Sequence, residues 1–335
     1  MSDDQLAFGW AEPDDTSSAT DLLPRARTLA ERLRSLAERG VYIGTSSWKY
    51  PGWLGQIYNP VLYATRGKLS QKRFNDSCLA EYTRVFPTVC GDFAFYQFPT
   101  PAFWRRTFEQ VPDGFRFSLK VPEDVTVEHF PDLPRYGRRA GSDNRSFLDA
   151  ALVADRLLAP LEPYRDRLGV LIFQFGTFHE GPLTDADRFA ERLGQFLDRL
   201  PTDRFEFAVE VRNRAFLDQP SKYLDALRAH RVAHCLNSWT RMPSIGEQLE
   251  LPDIATADHV AARFLLRPGR SYKQAVSAFS PYEQVKDTYA EGRDAMRRLL
   301  EIFLPQGQKV YVFVNNRLEG NAIETIESVV GDSTE

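Results

Sequence analysis

The sequence predicts an α/β protein built as a closed (β/α)8 barrel of the TIM type, with a helical extension at its N-terminus. Three observations carry this. Strand-like and helix-like runs alternate almost to the end of the chain, a pattern that favours a parallel sheet. Eight such strand runs occur, the number that closes a barrel. No Gly-x-Gly-x-x-Gly follows the first strand, which argues against an open dinucleotide-binding sheet.

Residues 1–22 are rich in Asp, Ser, Thr and Pro and are expected to form a flexible tail. Ala26, Leu29, Ala30, Leu33, Leu36 and Ala37 then recur at helical spacing over 25–39, and Gly40 stops that helix. Strands are expected at 41–46, 89–98, 115–121, 169–175, 205–212, 232–237, 259–267 and 309–314. Helices are expected near 70–86, 101–110, 144–160, 184–199, 219–230, 281–303 and 321–330, with 238–258 mostly irregular. The division that follows is a tail plus one helix over 1–40 and a single barrel domain over 41–330. Two long loops, 47–69 and 122–143, follow strands and so belong to the face where barrels build their sites.

The 335 residues carry 42 basic against 46 acidic side chains, a net charge of −4. That balance makes no global electrostatic case for nucleic acid or membrane binding. No segment approaches the ~20 apolar residues of a membrane span. The acidic N-terminus lacks a charged region followed by an apolar run. Cys78, Cys90 and Cys235 have no CxxC spacing and leave one thiol over if two pair, which fits a reducing compartment. A soluble, cytoplasmic protein without membrane contact is expected.

Residues Phe205 to Asn213 are the most informative stretch. As a strand, Phe205, Phe207, Val209 and Val211 share one face, and Glu206, Ala208, Glu210 and Arg212 the other. A greasy face under helices and a charged end at the mouth suit a barrel strand. The alternation recurs. Phe115, Phe117 and Leu119 oppose Arg116, Ser118 and Lys120; Leu171, Phe173 and Phe175 oppose Val170, Ile172 and Gln174; Ala262, Phe264 and Leu266 oppose Arg263, Leu265 and Arg267. The sixth strand ends at Asn237, and the eighth runs into Asn315 and Asn316. Lys120, Gln174, Glu210, Arg212, Arg267 and the asparagine pair therefore sit near C-terminal strand ends, where a barrel makes them converge. Each alone has a plain structural alternative. Glu210 and Arg212 suit a structural ion pair, although desolvation leaves such a pair little net stability. Lys120 suits a side chain that snorkels to solvent, and the asparagines suit a turn. Convergence favours a site.

The chain resembles the YecE-like family, also called domain of unknown function 72, over roughly residues 41–330. The motifs are Ile43-Gly44-Thr45-Ser46-Ser47-Trp48 with Tyr50-Pro51-x-Trp53 and Tyr58; Phe95-Tyr96-x-x-Pro99; Phe117-x-x-Lys120; Leu168-Gly169-x-Leu171-x-Phe173-Gln174; Ala208-Val209-Glu210-x-Arg212; and Phe313-x-Asn315-Asn316-x-x-x-Gly320-Asn321-Ala322. The resemblance implies a (β/α)8 barrel and no established activity. It also marks departures. Val89-Cys90-Gly91-Asp92 stands where the family pattern reads Val-Glu-x-Asn, and Leu266-Arg267-Pro268-Gly269 where it reads Arg-x-His-Gly. Phe175-Gly176 replaces paired prolines, and Asn237 an aspartate. The loss of a carboxylate and an imidazole marks a divergent member, with chemistry expected to be changed or lost.

His129, His179, His230, His234 and His259 show no metal-ligand spacing, so neither a metal nor any other cofactor is expected. Gly44-Thr45-Ser46-Ser47 is not a nucleophile elbow. The chemistry left is Glu210 as general acid or base with Lys120, and Arg212, Arg267, Gln174, Asn315 and Asn316 as ligand holders. Trp48 and Tyr96 are stacking candidates, against ordinary loop packing. The partner expected is a small anion, a phosphorylated sugar or nucleotide. A non-catalytic binding or regulatory barrel is the main rival. A weaker one is nucleic-acid association through the basic loop 122–145, with Arg135, Arg138, Arg139 and Arg145.

Overall fold

The computed structural model describes residues 21–331. Residues 1–20, most of the expected tail, lie outside them. The helix Pro24–Glu38 packs through Ala26, Leu29, Ala30 and Leu33. It ends where Gly40 takes a φ of +84°, the left-handed region open to a residue without a Cβ.

Eight strands follow: β1 Val41–Thr45, β2 Thr88–Gly91, β3 Arg116–Lys120, β4 Leu168–Gln174, β5 Phe207–Glu210, β6 Ala233–Asn237, β7 His259–Phe264 and β8 Lys309–Val314. All pair in parallel with their sequence neighbours, and β8 returns to β1 with Val41 opposite Val310, closing the barrel. Glu210 stands opposite Gln174, and Asn237 opposite Arg263. Most of the longer helices after the strands start on side-chain caps, Ala290–Phe303 being an exception. Ser70, Thr100, Ser221 and Asn321 each accept a backbone N–H, and Asp185 accepts two.

The expected alternation sorts the core into two layers. Phe173, Phe205, Phe207, Val209, Val211, Ala262 and Phe264 belong to the large apolar layer between strands and helices. Cys90, Val170, Ile172, Ala208, Ala233, Cys235, Ala261, Tyr311 and Phe313 form a separate small cluster inside the barrel. The N-terminal end of the barrel is plugged by a satisfied polar group. Lys309 Nζ and Tyr311 Oη bond the two oxygens of Glu206 at 2.6 and 2.7 Å, and His259 Nε2 lies 2.9 Å from the Phe207 carbonyl.

Several boundaries depart from expectation. The second strand stops at Gly91, seven residues early, and the Phe93 ring fills the space a Cβ at 91 would need. The seventh stops at Phe264 rather than 267. Residues 144–149 are loop, tied down by Asn144 Nδ2 donating to the Asp124 and Val127 carbonyls, and the helix that follows contains a π turn over Ala154–Leu158. The helix expected from 281 begins at Ala290. Tyr272–Phe279, not expected as helix, starts on a capping box from Ser271 and Gln274.

The barrel closes where β1 meets β2, and there the two backbones approach closely. A Cβ on Gly44 would lie 2.0 Å from the Thr88 carbonyl oxygen. Gly44→Ala is therefore expected to lower stability by at least about 3 kcal/mol, read as a fall in the urea midpoint. An unchanged midpoint means that the seam can widen freely.

Candidate functional site

Along β5, Ala208 faces the barrel interior, Glu206 the plugged end and Glu210 the mouth. Glu210 is fully buried. A lone buried carboxylate is strongly disfavoured, and this one is held from two sides. Arg263 Nη1, from β7, donates to Glu210 Oε2, and Arg212 Nε and Nη2 donate to Oε1 at 3.2 Å each. Arg263 Nη1 also reaches Gln174 Oε1 at 3.0 Å, which brings in β4. The Arg212 guanidinium lies 3.7 Å from the ring centroid of Trp239. Burial works to raise the Glu210 carboxyl, but Arg263 and then Arg212 outweigh it and hold the group below its ordinary value of 4.5. Burial likewise opposes the charge of Arg263, and Glu210 beside it lifts the guanidinium above its usual range.

Lys120, from β3, is 8% exposed and lies in the same layer, its Nζ 4.0 Å from the centroid of the Phe95 ring. Among the described residues no carboxylate comes within ion-pair distance of it. Desolvation, and next the charge of Arg263, push the ammonium down to about 8, against the weaker pull of Asp92. Burial pushes the Cys90 thiol up to about 11, so it sits in this interior as a neutral group.

The residues expected from the sequence divide into two sets. Glu210, Lys120, Arg212 and Gln174 come together. Arg267 stands outside this network, paired with Asp287 at 3.4 Å and 5.5 Å from the Tyr289 ring. The cation that β7 sends to the mouth is Arg263, four residues earlier on the same face. Alternation already grouped the two, and the overlong seventh strand shifted the choice to Arg267. Asn315 Oδ1 accepts the Arg317 N–H at 2.9 Å, and Asn316 Oδ1 accepts the Ala322 N–H at 2.7 Å, so each holds the turn after β8. Trp48 packs edge-on against Phe93 and Phe117. Tyr96 remains 52% exposed, with Arg135 5.4 Å from its ring. In the basic loop, Arg135 pairs with Glu123 and Arg139 with Asp124, which offsets much of its charge. Among the described residues no cluster of His, Cys, Asp and Glu has the make-up to hold a metal, and no helix is long and apolar enough to cross a membrane.

The fold and the ionic mouth define a parallel (β/α)8 barrel protein whose polar residues concentrate at the C-terminal ends of its strands, the end where such barrels build their sites. The chain belongs to the family described as protein of unknown function DUF72, whose model matches residues 42–332. It is similar to the UPF0759 protein YecE of Escherichia coli K12, 27% identical over 180 residues, covering 52% of this chain; the match spans about half the length of that relative. Its fold resembles a DUF72 family protein from Enterococcus faecalis, at TM-score 0.59 and 16% identity over 88% of this chain and 97% of that one. It also resembles one from Thermotoga maritima, at TM-score 0.57 and 21% identity over 88% and 99%.

Two outcomes follow from the geometry. Arg263→Met leaves Glu210 buried with one partner and is expected to lose about 3–5 kcal/mol. Adding Glu210→Gln should recover part of that loss in a double-mutant cycle, and simple additivity would mean the two side chains are not coupled. Because Glu210 is depressed when folded, its contribution is present above about 4.5 and is lost as pH falls through the lower folded value, a component the double variant lacks. Lys120 has the opposite sign. Below about pH 8 it is charged in both states and burdens the folded one; between 8 and 10.5 only the unfolded chain keeps the proton, so stability rises. Lys120→Met should therefore be more stable than wild type at pH 7 by urea denaturation, with the gain fading towards pH 10.5. A loss of stability at pH 7 would count against a strained amine.

Proposed function

We propose that this chain binds a small anionic ligand, a phosphorylated sugar or nucleotide, at the C-terminal mouth of the barrel, with Lys120 as the group that carries protons. The observation that supports this is a charge imbalance. Lys120, Arg212 and Arg263 surround Glu210, the single buried carboxylate of this layer. At the other end of the same strand Glu206 is matched by Lys309, and burial lowers the basicity of His259, so no comparable cationic excess arises there. An unbalanced, largely desolvated set of cations attracts an anion strongly, since little water competes.

Glu210 fits an anchoring role better than proton transfer. Both of its oxygens are engaged by guanidinium groups that keep it ionised, whereas Lys120 is brought close to neutrality. The same engagement supports, as a second reading, a barrel that binds without turnover. Metal-independent chemistry fits either, given the donor types around the mouth. The pairing of Arg135 and Arg139 with acidic neighbours favours the mouth over the basic loop as the anion site.

A thermal-shift panel of inorganic phosphate, sugar phosphates, nucleotides and small carboxylates tests this. A true ligand at about a hundred times its Kd should raise Tm by roughly 4 °C. Its affinity should fall as pH rises through about 8, where Lys120 loses its charge, and Lys120→Met should bind weakly without that step. No stabilisation by any member of the panel, or an affinity unaffected by Lys120→Met, would sink the reading.

A further inference from the structure

The mouth contains several groups that carry nucleophiles elsewhere, and all but one are already committed. The Cys90 thiol is pushed up to about 11 and stays protonated. Ser118 Oγ accepts the Val170 N–H at 3.0 Å, within the barrel wall. The Glu210 oxygens are held by arginines. Lys120 alone combines burial, freedom from a carboxylate partner and an apolar ring beneath its nitrogen, Phe95 at 4.0 Å. An ammonium gripped by a carboxylate is fixed in its charged form. One stripped of water beside a guanidinium gives up its proton readily, the more so as the ring beneath it offers only a weak substitute for a carboxylate, the setting in which lysines attack carbonyl groups.

We propose that Lys120 forms an imine with a small carbonyl compound that also carries a carboxylate or phosphate group, for which the open-chain form of a phosphorylated sugar qualifies. The inference rests on the mouth being an anion site. Arg263 Nε and, from the strand position opposite it, Asn237 Oδ1 are buried with no hydrogen-bond partner among the described residues, so a polar ligand at the mouth has both a donor and an acceptor to meet. The depression of the Lys120 ammonium to about 8 leaves a useful neutral fraction at physiological pH.

The step balances without any redox partner. The lone pair of the neutral amine adds to the carbonyl carbon while the π pair moves onto oxygen, which takes up the proton that nitrogen releases. The resulting carbinolamine loses water as the nitrogen lone pair closes the C=N bond. Amine and carbonyl become imine and water, reversibly. Once protonated, the imine withdraws electrons from the adjacent carbon, which eases the breaking of a bond there.

The full chain is incubated near pH 7.5 with glyoxylate, glyceraldehyde 3-phosphate or uncharged acetaldehyde. Borohydride then delivers hydride to any imine carbon and fixes it as a secondary amine, which peptide mass mapping locates. Lys120 is expected to label about tenfold faster than Lys49 or Lys222, with a larger preference for the two anionic carbonyls than for acetaldehyde. Inorganic phosphate should slow labelling at Lys120, and Lys120→Arg, checked for folding by circular dichroism, should abolish it at that peptide. Labelling spread evenly over surface lysines overturns the inference. If phosphate still raises the wild-type Tm, the anion site survives that failure; if it does not, both readings fall together.

Discussion

The arrangement at the mouth depends on the burial of one charge. Placing Glu210 inside the barrel removes it from water, a cost that Coulomb attraction offsets only when partners are close and well aligned. Arg263 and Arg212 supply those contacts, one to each oxygen, and Gln174 adds a neutral bond to the first arginine. Once those side chains are in place, their positive charge spreads over its surroundings. It falls on Lys120, which has no carboxylate of its own, and on Cys90, where it only partly offsets burial. Three side chains from β3, β5 and β7 and one from just beyond β5 thus behave as one electrostatic unit.

The closed end of the same barrel serves as an internal comparison. Glu206 also points inward, but its oxygens meet a lysine and a tyrosine hydroxyl, and Arg116 acts there through Tyr311 without a hydrogen bond to the carboxylate. That end is balanced, as expected for the face of a barrel that carries stability. The mouth is not balanced. Two carboxylates four residues apart on one strand therefore have different roles, set by the neighbours that barrel closure brings to each. Stability alone would have been served by an apolar residue in place of Lys120, which has no carboxylate partner among the described residues.

Much of this was legible in the sequence because a barrel strand has a period of two and two chemically different faces. Phe205, Phe207 and Val209 against Glu206, Ala208 and Glu210 named both the layer and the mouth, and Lys120 and Gln174 followed by the same count. What failed was length. Nothing in Ala262-Arg263-Phe264-Leu265-Leu266-Arg267 marks where β7 leaves the sheet, because Leu265 and Leu266 are as strand-like as the residues before them and Pro268 and Gly269 come only later. The cation was assigned two periods of the alternation too late. The asparagines after β8 were ambiguous for another reason. Asn serves a turn and a ligand equally well, and only the Arg317 and Ala322 amides reveal that here their side-chain oxygens serve the backbone.

The departures from the family pattern take on a physical meaning against this background. Cys90, at the position where the resemblance leads one to expect a carboxylate, faces Arg263 and Lys120. An acid there would have paired with the lysine, raised its pKa and balanced the mouth. A thiol buried in an apolar cluster stays neutral, and its own upward pull on the lysine is outweighed by burial and Arg263. A thiol at this position therefore leaves Lys120 to burial and Arg263, and the positive charge of the mouth uncompensated.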